Sequence, residues 1–295
     1  MSALVEILRP DFILRDALVG SVLVGAVCPL VGVYFVLRRM IFLGVALPQL
    51  SAAGIAFAFV AYRLIVGPHE HGNVSERSLA IVGAFAFTLG GILVLAAMER
   101  RGRETVEARI GVTYAVAAAL TILFLAADPH GDAQMVNLLK GDILATTSAS
   151  LGVLASVLGA VVMVLFAFRK EFLLVSFDRD LAVVFRKRVA VWDLLLFLAI
   201  GVTISLGVMT AGPLVTFGFL VIPPLTARLL TRRMISFSLA AASIGGLTAF
   251  VGFYCAYRFD LPLGPAEVAV ASVVLAVVTT VTMIGRWRTS ARSAS

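Results

Sequence analysis

The stretch that decides the fold runs from Leu194 to Ala227, LLLFLAIGVTISLGVMTAGPLVTFGFLVIPPLTA, and carries no charged residue. About 20 apolar residues suffice for a helix to cross a hydrocarbon core ~30 Å thick, so this run is too long for one crossing. Gly212-Pro213 lies near its middle. That dipeptide punctuates a chain as a turn. The sequence therefore predicts two helices joined at Gly212, the first beginning near Val189.

Working outward, the same rule finds Ala17–Leu37, Met40–Tyr62, Ser78–Met98, Ile110–Ala127, Ala149–Phe168, Ile235–Tyr257 and Val268–Gly285. Each is close to one crossing in length. The expectation is an all-α integral membrane protein, one transmembrane domain over residues 1–295, built as a bundle of about nine transmembrane helices. An eight-span reading, with the N-terminus cytoplasmic or one run re-entrant, is the alternative. A transmembrane β-barrel is excluded, because its strands alternate apolar and polar residues and these runs do not. Composition agrees: hydrophobic residues make up 61% and charged residues 14%, against about half and a quarter in soluble domains.

The loops set the orientation. If the turn at Arg38-Arg39 is cytoplasmic, only Arg9, Arg15, Arg63, Arg77, Lys140 and Arg258 of the 24 basic residues fall on the other side. Cytoplasmic loops concentrate Lys and Arg in this way, so the net charge of +7 needs no nucleic-acid partner. The N-terminus is then outside and the C-terminus cytoplasmic. Residues 1–16 hold Glu6, Arg9, Asp11, Arg15 and Asp16, which does not make the basic leader of a cleavable signal. Cys28 and Cys255 lie in apolar runs and form no CxxC pair.

No Asp, Glu, Lys, Arg or His falls in the middle of a run, and Asp193 and Glu267 sit near run ends. Charges at the bilayer centre mark ion paths, proton relays and voltage sensors. Their absence argues against a proton- or sodium-coupled carrier. No phosphate-cradling P-loop is present, and no buried Ser/His/Asp arrangement is available, since His69, His71 and His130 all fall on outer loops. The chain reads as a transporter component rather than an enzyme, with no cofactor of its own. Its energy would come from a partner ATPase that binds ATP at the basic inner face.

Several segments carry a resemblance. Cys28-Pro29-Leu30-Val31-Gly32 leads through a helix to Arg38-Arg39-Met40. Phe42 to Gly54 reads FLGVALPQLSAAG, and Leu139 to Leu144 reads LKGDIL. Val175 to Ala182 reads VSFDRDLA within a basic loop, Gly212 to Arg228 ends in LVIPPLTAR, and Asp260 to Pro265 reads DLPLGP. Collinear from about Ala17 to Gly285, these segments resemble the permeases of zinc- and manganese-type ABC importers.

The resemblance implies a membrane-spanning permease subunit of an ATP-driven importer of divalent metal ions, zinc or manganese, or of a metal chelate. It implies a homodimer with the pathway between two copies, a periplasmic or extracellular substrate-binding protein, and an ABC ATPase in the bacterial inner membrane. It places the ATPase-coupling segment at Phe177, Asp178, Arg179, Asp180 and Ala182. In the family, the helix beginning near Phe42 usually presents an Asp and a His to the path; here Val45 and Gln49 stand in their places. Val45, Gln49 and Ser51 are the candidate path residues, although a buried amide such as Gln49 serves equally to join helices. Two prolines at Pro223-Pro224 should kink their helix.

Pro68-His69-Glu70-His71-Gly72 is no family motif. His69, His71 and, further along, His130 are candidate ligands for zinc or copper, which need three or four such groups; an ordinary polar loop is the alternative. A channel or secondary carrier without an ATPase is the second functional reading, and a membrane enzyme or assembly factor with its chemistry on the outer His loops is the third.

Overall fold

The structure, a computed structural model, describes residues 12, 14–66, 74–99, 106–127, 148–177, 182, 184–185, 188–231 and 233–293. Among these, nine helices follow one another: α1 (Arg15–Leu37), α2 (Leu43–Val66), α3 (Val74–Glu99), α4 (Val106–Ala126), α5 (Ser148–Ala167), α6 (Arg169–Phe177), α7 (Val189–Leu230), α8 (Met234–Phe259) and α9 (Leu263–Ser293). Eight are long and apolar enough to cross a membrane, and α6, at nine residues, is not. Every spanning run expected from the sequence is a helix, with ends within about four residues except in α9, which starts five residues before Val268 and ends eight after Gly285.

The 42 residues of α7 are not one rod. Gly212 has φ 84° and ψ 163°, a region open in practice only to glycine. Gly207 and Thr216 lie on either side of it, and a methyl group added at Gly207 would sit 3.0 Å from the Thr216 side chain, whereas nine residues of straight helix would separate the two by about 13 Å. Asp193 near the start of α7 pairs with Arg38, and Arg228 near its end donates to the Val36 carbonyl at 3.4 Å. Both ends of α7 therefore lie at the C-terminal end of α1, and the helix is a hairpin turned at Gly212. Two crossings from α7 and seven from the other long helices give nine.

Contacts between helices fix the alternation. Gly54 meets Gly83 and Leu50 meets Gly91, so α2 and α3 are antiparallel. Phe57 meets Phe124 edge to face with ring centroids 5.3 Å apart, which sets α4 beside α2. Ser148 donates to Asp16 at 2.6 Å, placing the start of α5 beside the start of α1. Gly264 packs against Val215 near the hairpin apex, so α9 begins at the end opposite Arg38.

Prolines and glycines set the closest helix crossings. Pro29 lacks the N–H that would bond the Gly25 carbonyl, and Pro224 leaves the Leu220 carbonyl free in the same way. Gly245 of α8 lies directly against the Gly25 carbonyl, and Gly32 of α1 directly against that of Leu220. A methyl group at either glycine would overlap the oxygen. Small residues let transmembrane backbones approach this closely, and Cα–H groups can then meet the freed oxygens. The expected kink at Pro223-Pro224 is not a break: Gly212 is the one residue of α7 with non-helical dihedrals. The Ser and Thr hydroxyls of α7 return to their own backbone, as Thr203 does to Ala199 and Thr210 to Leu206, which lowers their cost in lipid.

Candidate functional site

Val45 and Gln49 follow one another along α2 at helical spacing, just after Phe42 in the turn that precedes the helix. Phe42 is exposed, and Val45 and Gln49 are half-buried. Residues four apart stack on one helix face, so Val45 and Gln49 present a shared, partly open surface. Ser51 is turned about 200° from Gln49 at 100° per residue. It is fully buried, and its hydroxyl has no hydrogen-bond partner. The three path candidates thus divide: two on the open face, one inside the bundle.

Below that face, at the Arg38 end, lies a cavity of about 570 Å³ lined by Arg38, Phe42, Glu107, Arg109, Ser176 and Phe177 among others. Its architecture begins in the turn after α1. Arg39 adopts the left-handed conformation with φ 58°. The Met40 N–H donates to the Phe35 carbonyl and the Arg39 N–H to that of Val36, the double bond that closes a helix with a left-handed residue. Arg38 is thereby aimed inward. Its Nε donates to Ser176 Oγ at 3.0 Å, its Nη2 to Asp193 Oδ1 at 2.8 Å, and its guanidinium lies 5.5 Å from the centroid of the Phe197 ring. Tyr34, Phe168, Phe172 and Trp192 form an aromatic cluster at the same end, with Phe172 centred 6.1 Å from Tyr34 and 6.0 Å from Trp192.

Of the coupling candidates, Phe177 ends α6 and is 67% exposed. Ala182 is fully buried, so its methyl faces the protein. Asp178, Arg179 and Asp180 lie outside the described residues, as do His69, His71, His130 and the segment Leu139–Leu144. Val184 and Phe185, which belong to no motif of the sequence, are 75% and 62% exposed. Like Phe177, they are exposed apolar side chains on segments that do not span the membrane. Among the described residues no three of His, Cys, Asp and Glu converge as a metal site.

The sequence match covers this whole arrangement: residues 11–282 fit the model of the ABC 3 transport family. The chain belongs to the ABC 3 transport family. It is the membrane-spanning permease of an ABC transporter. The permease is 26% identical over 261 residues to the manganese transport system membrane protein MntC of Listeria innocua, covering 88% of each chain. It is 23% identical to the manganese import system permease protein ScaB of Streptococcus gordonii, over 90% of this chain and 89% of that one. A probable iron transport system membrane protein of Haemophilus influenzae is 25% identical over 88% of this chain and 86% of its own. Among solved structures, PsaBC from Streptococcus pneumoniae in complex with Fab superposes with a TM-score of 0.79 at 22% identity, covering 93% of both chains. That likeness establishes the shared fold.

One buried group of the permease was read from sequence only as a residue near a run end. Glu267, in the second turn of α9, is 1% exposed and accepts a hydrogen bond from Ser21 of α1. Gly252 of α8 makes room for it, since a side chain there would meet the Glu267 backbone and Cγ. Asp193 is likewise buried. The interior therefore does hold carboxylates, each with a partner, toward the ends of the helices.

Proposed function

We propose that this permease imports a divalent first-row metal ion, manganese foremost, as one half of a homodimer driven by a separate ABC ATPase. The collinear match to the MntC and ScaB permeases carries the reading. The chemistry of the α2 face distinguishes between metals. Zinc takes its ligands chiefly from Cys, His and carboxylates, whereas manganese accepts carbonyl oxygen and water. Val45 supplies no ligand, and the Gln49 amide supplies one oxygen. The ion then crosses this level keeping most of its water.

The Arg38 end faces the cytoplasm, where the positive-inside bias puts it, and nine crossings leave the N-terminus outside. A substrate-binding protein delivers the metal at the outer end. The ATPase seats on Phe177, Val184 and Phe185, whose exposure suits insertion into a partner groove, and Asp178, Arg179 and Asp180 follow Phe177 in the sequence. The second copy seats along α5. That helix buries only Leu154, Leu158, Val161 and Leu165 and leaves Gly152 and Gly159 open, the small residues that membrane helix interfaces favour. ATP binding rocks the two copies against each other and alternates access to the path.

The test is growth of cells stripped of their own metal importers, expressing the permease with its ATPase and binding protein. Rescue under manganese limitation, and not under zinc limitation, is the expected result. Rescue under zinc limitation alone overturns the manganese assignment.

A further inference from the structure

We propose that Arg38 is the positioning residue that carries motion of the ATPase-docking segment into the α7 hairpin. This rests on the reading of Phe177 as part of the docking surface. Ser176, which holds Arg38 Nε at 3.0 Å, is the immediate neighbour of Phe177. Asp193, which holds Nη2 at 2.8 Å, stands in the second turn of α7. The Phe197 ring, one helical turn further on, packs 5.5 Å from the guanidinium. Arg38 itself belongs to the turn that closes α1. One planar group thus bonds to both the docking segment and the hairpin, while its backbone belongs to the turn between α1 and α2.

The chemistry suits a relay better than a simple staple. A guanidinium presents its donors in a rigid fork, so displacing Ser176 rotates the whole plane and moves the partner of Asp193. A lysine would keep the attraction to Asp193 as a point charge but could not hold both groups in a fixed relation. The side chains of Arg38 and Asp193 are 9% and 10% exposed. Water therefore does little to screen the pair or to replace its hydrogen bonds. The aromatic cluster of Tyr34, Phe168, Phe172 and Trp192 braces α6 against α1 and α7 beside the relay, so α6 moves as a body instead of folding away from Arg38.

The experiment uses the assembled complex of permease and ATPase, in a Cys255→Ser background with Leu214→Cys as the reporter. Leu214 is 48% exposed and lies beside the hairpin apex, at the end opposite Arg38. Thiol-labelling rates are compared with and without ATP and vanadate, a readout that needs no knowledge of the cargo. In the otherwise unaltered permease, trapping should change the rate several-fold. Arg38→Lys should co-purify with the ATPase and hydrolyse ATP at rates near the parent. Arg38→Lys and Ser176→Ala should each lose most of the nucleotide-dependent change at Leu214→Cys. A full labelling response in Arg38→Lys overturns the relay, as does no response in the parent. So does loss of ATPase binding and of labelling response in parallel, which would mark Arg38 as structural. Phe177→Ala tests the docking reading by itself: undiminished co-purification with the ATPase removes that reading, whatever the Arg38 variants do.

Discussion

Arg38 and Asp193 lie 155 residues apart in sequence and meet at 2.8 Å, joining the turn after the first helix to the second turn of the helical hairpin. The pair is nearly buried at both side chains. Asp193→Asn keeps an oxygen in place but removes the charge, and hydrogen bonds to charged groups contribute about 1.5–3 kcal/mol. Asp193→Asn should therefore destabilise the permease by roughly 2 kcal/mol, read as an earlier thermal transition of the detergent-purified protein. An unchanged transition would show that the pair contributes nothing to the fold.

The crossing of α1 and α8 at Gly25 and Gly245 leaves no space for a side chain. Gly245→Leu should lower stability by at least about 1–3 kcal/mol, the usual cost of overpacking. Gly152→Leu on the open face of α5 should leave the fold of a single chain intact and instead weaken association of two copies. Fluorescence size-exclusion profiles of the two variants separate these outcomes.

Glu267 is buried with Ser21 as hydrogen-bond donor. Ser21→Ala strands the carboxyl group and should cost about 1–3 kcal/mol, whereas Glu267→Gln keeps an acceptor oxygen in the same place and should stay close to the parent. Thermal unfolding of the two variants side by side checks this. A larger loss in Glu267→Gln than in Ser21→Ala would mean that the charge, and not the hydrogen bond, matters at this position.

The open face of α2 offers a constructive test. Val45→Asp with Gln49→His puts a carboxylate and an imidazole one helical turn apart, within joint reach of one ion. The double variant should retain manganese or zinc through purification at least about tenfold more tightly, equivalent to ~1.4 kcal/mol, measured as bound metal per chain. Equal metal content in variant and parent would show that this face does not gather ions.

Much of this was legible in the sequence because lipid leaves few choices. A backbone in hydrocarbon must bond to itself, so apolar runs become helices, and a run as long as Leu194–Ala227 must turn where Gly212 permits it. The separation of Ser51 from Gln49 follows from helical periodicity alone. Glu267 was not legible as a buried group: its position near a run end suggests exposure, and its burial depends on Gly252 and Ser21, which only the packing of α8 and α1 against α9 brings to it. Pro223-Pro224 shows a role in packing that the sequence does not announce. The helix continues through both prolines, and the Leu220 carbonyl freed by Pro224 meets Gly32 across the interface. Val184 and Phe185 were hidden by the basic residues around them, where an apolar pair has no periodicity to announce it.

The most direct measurement is uptake of radiolabelled manganese into proteoliposomes containing the permease, its ATPase and its binding protein. Accumulation that requires ATP, and that falls at least tenfold in a permease carrying Phe177→Ala and Phe185→Ala, is the predicted result. Manganese accumulation of equal rate without ATP, or unaffected by those two substitutions, would contradict an ATP-driven permease coupled through this end of the bundle.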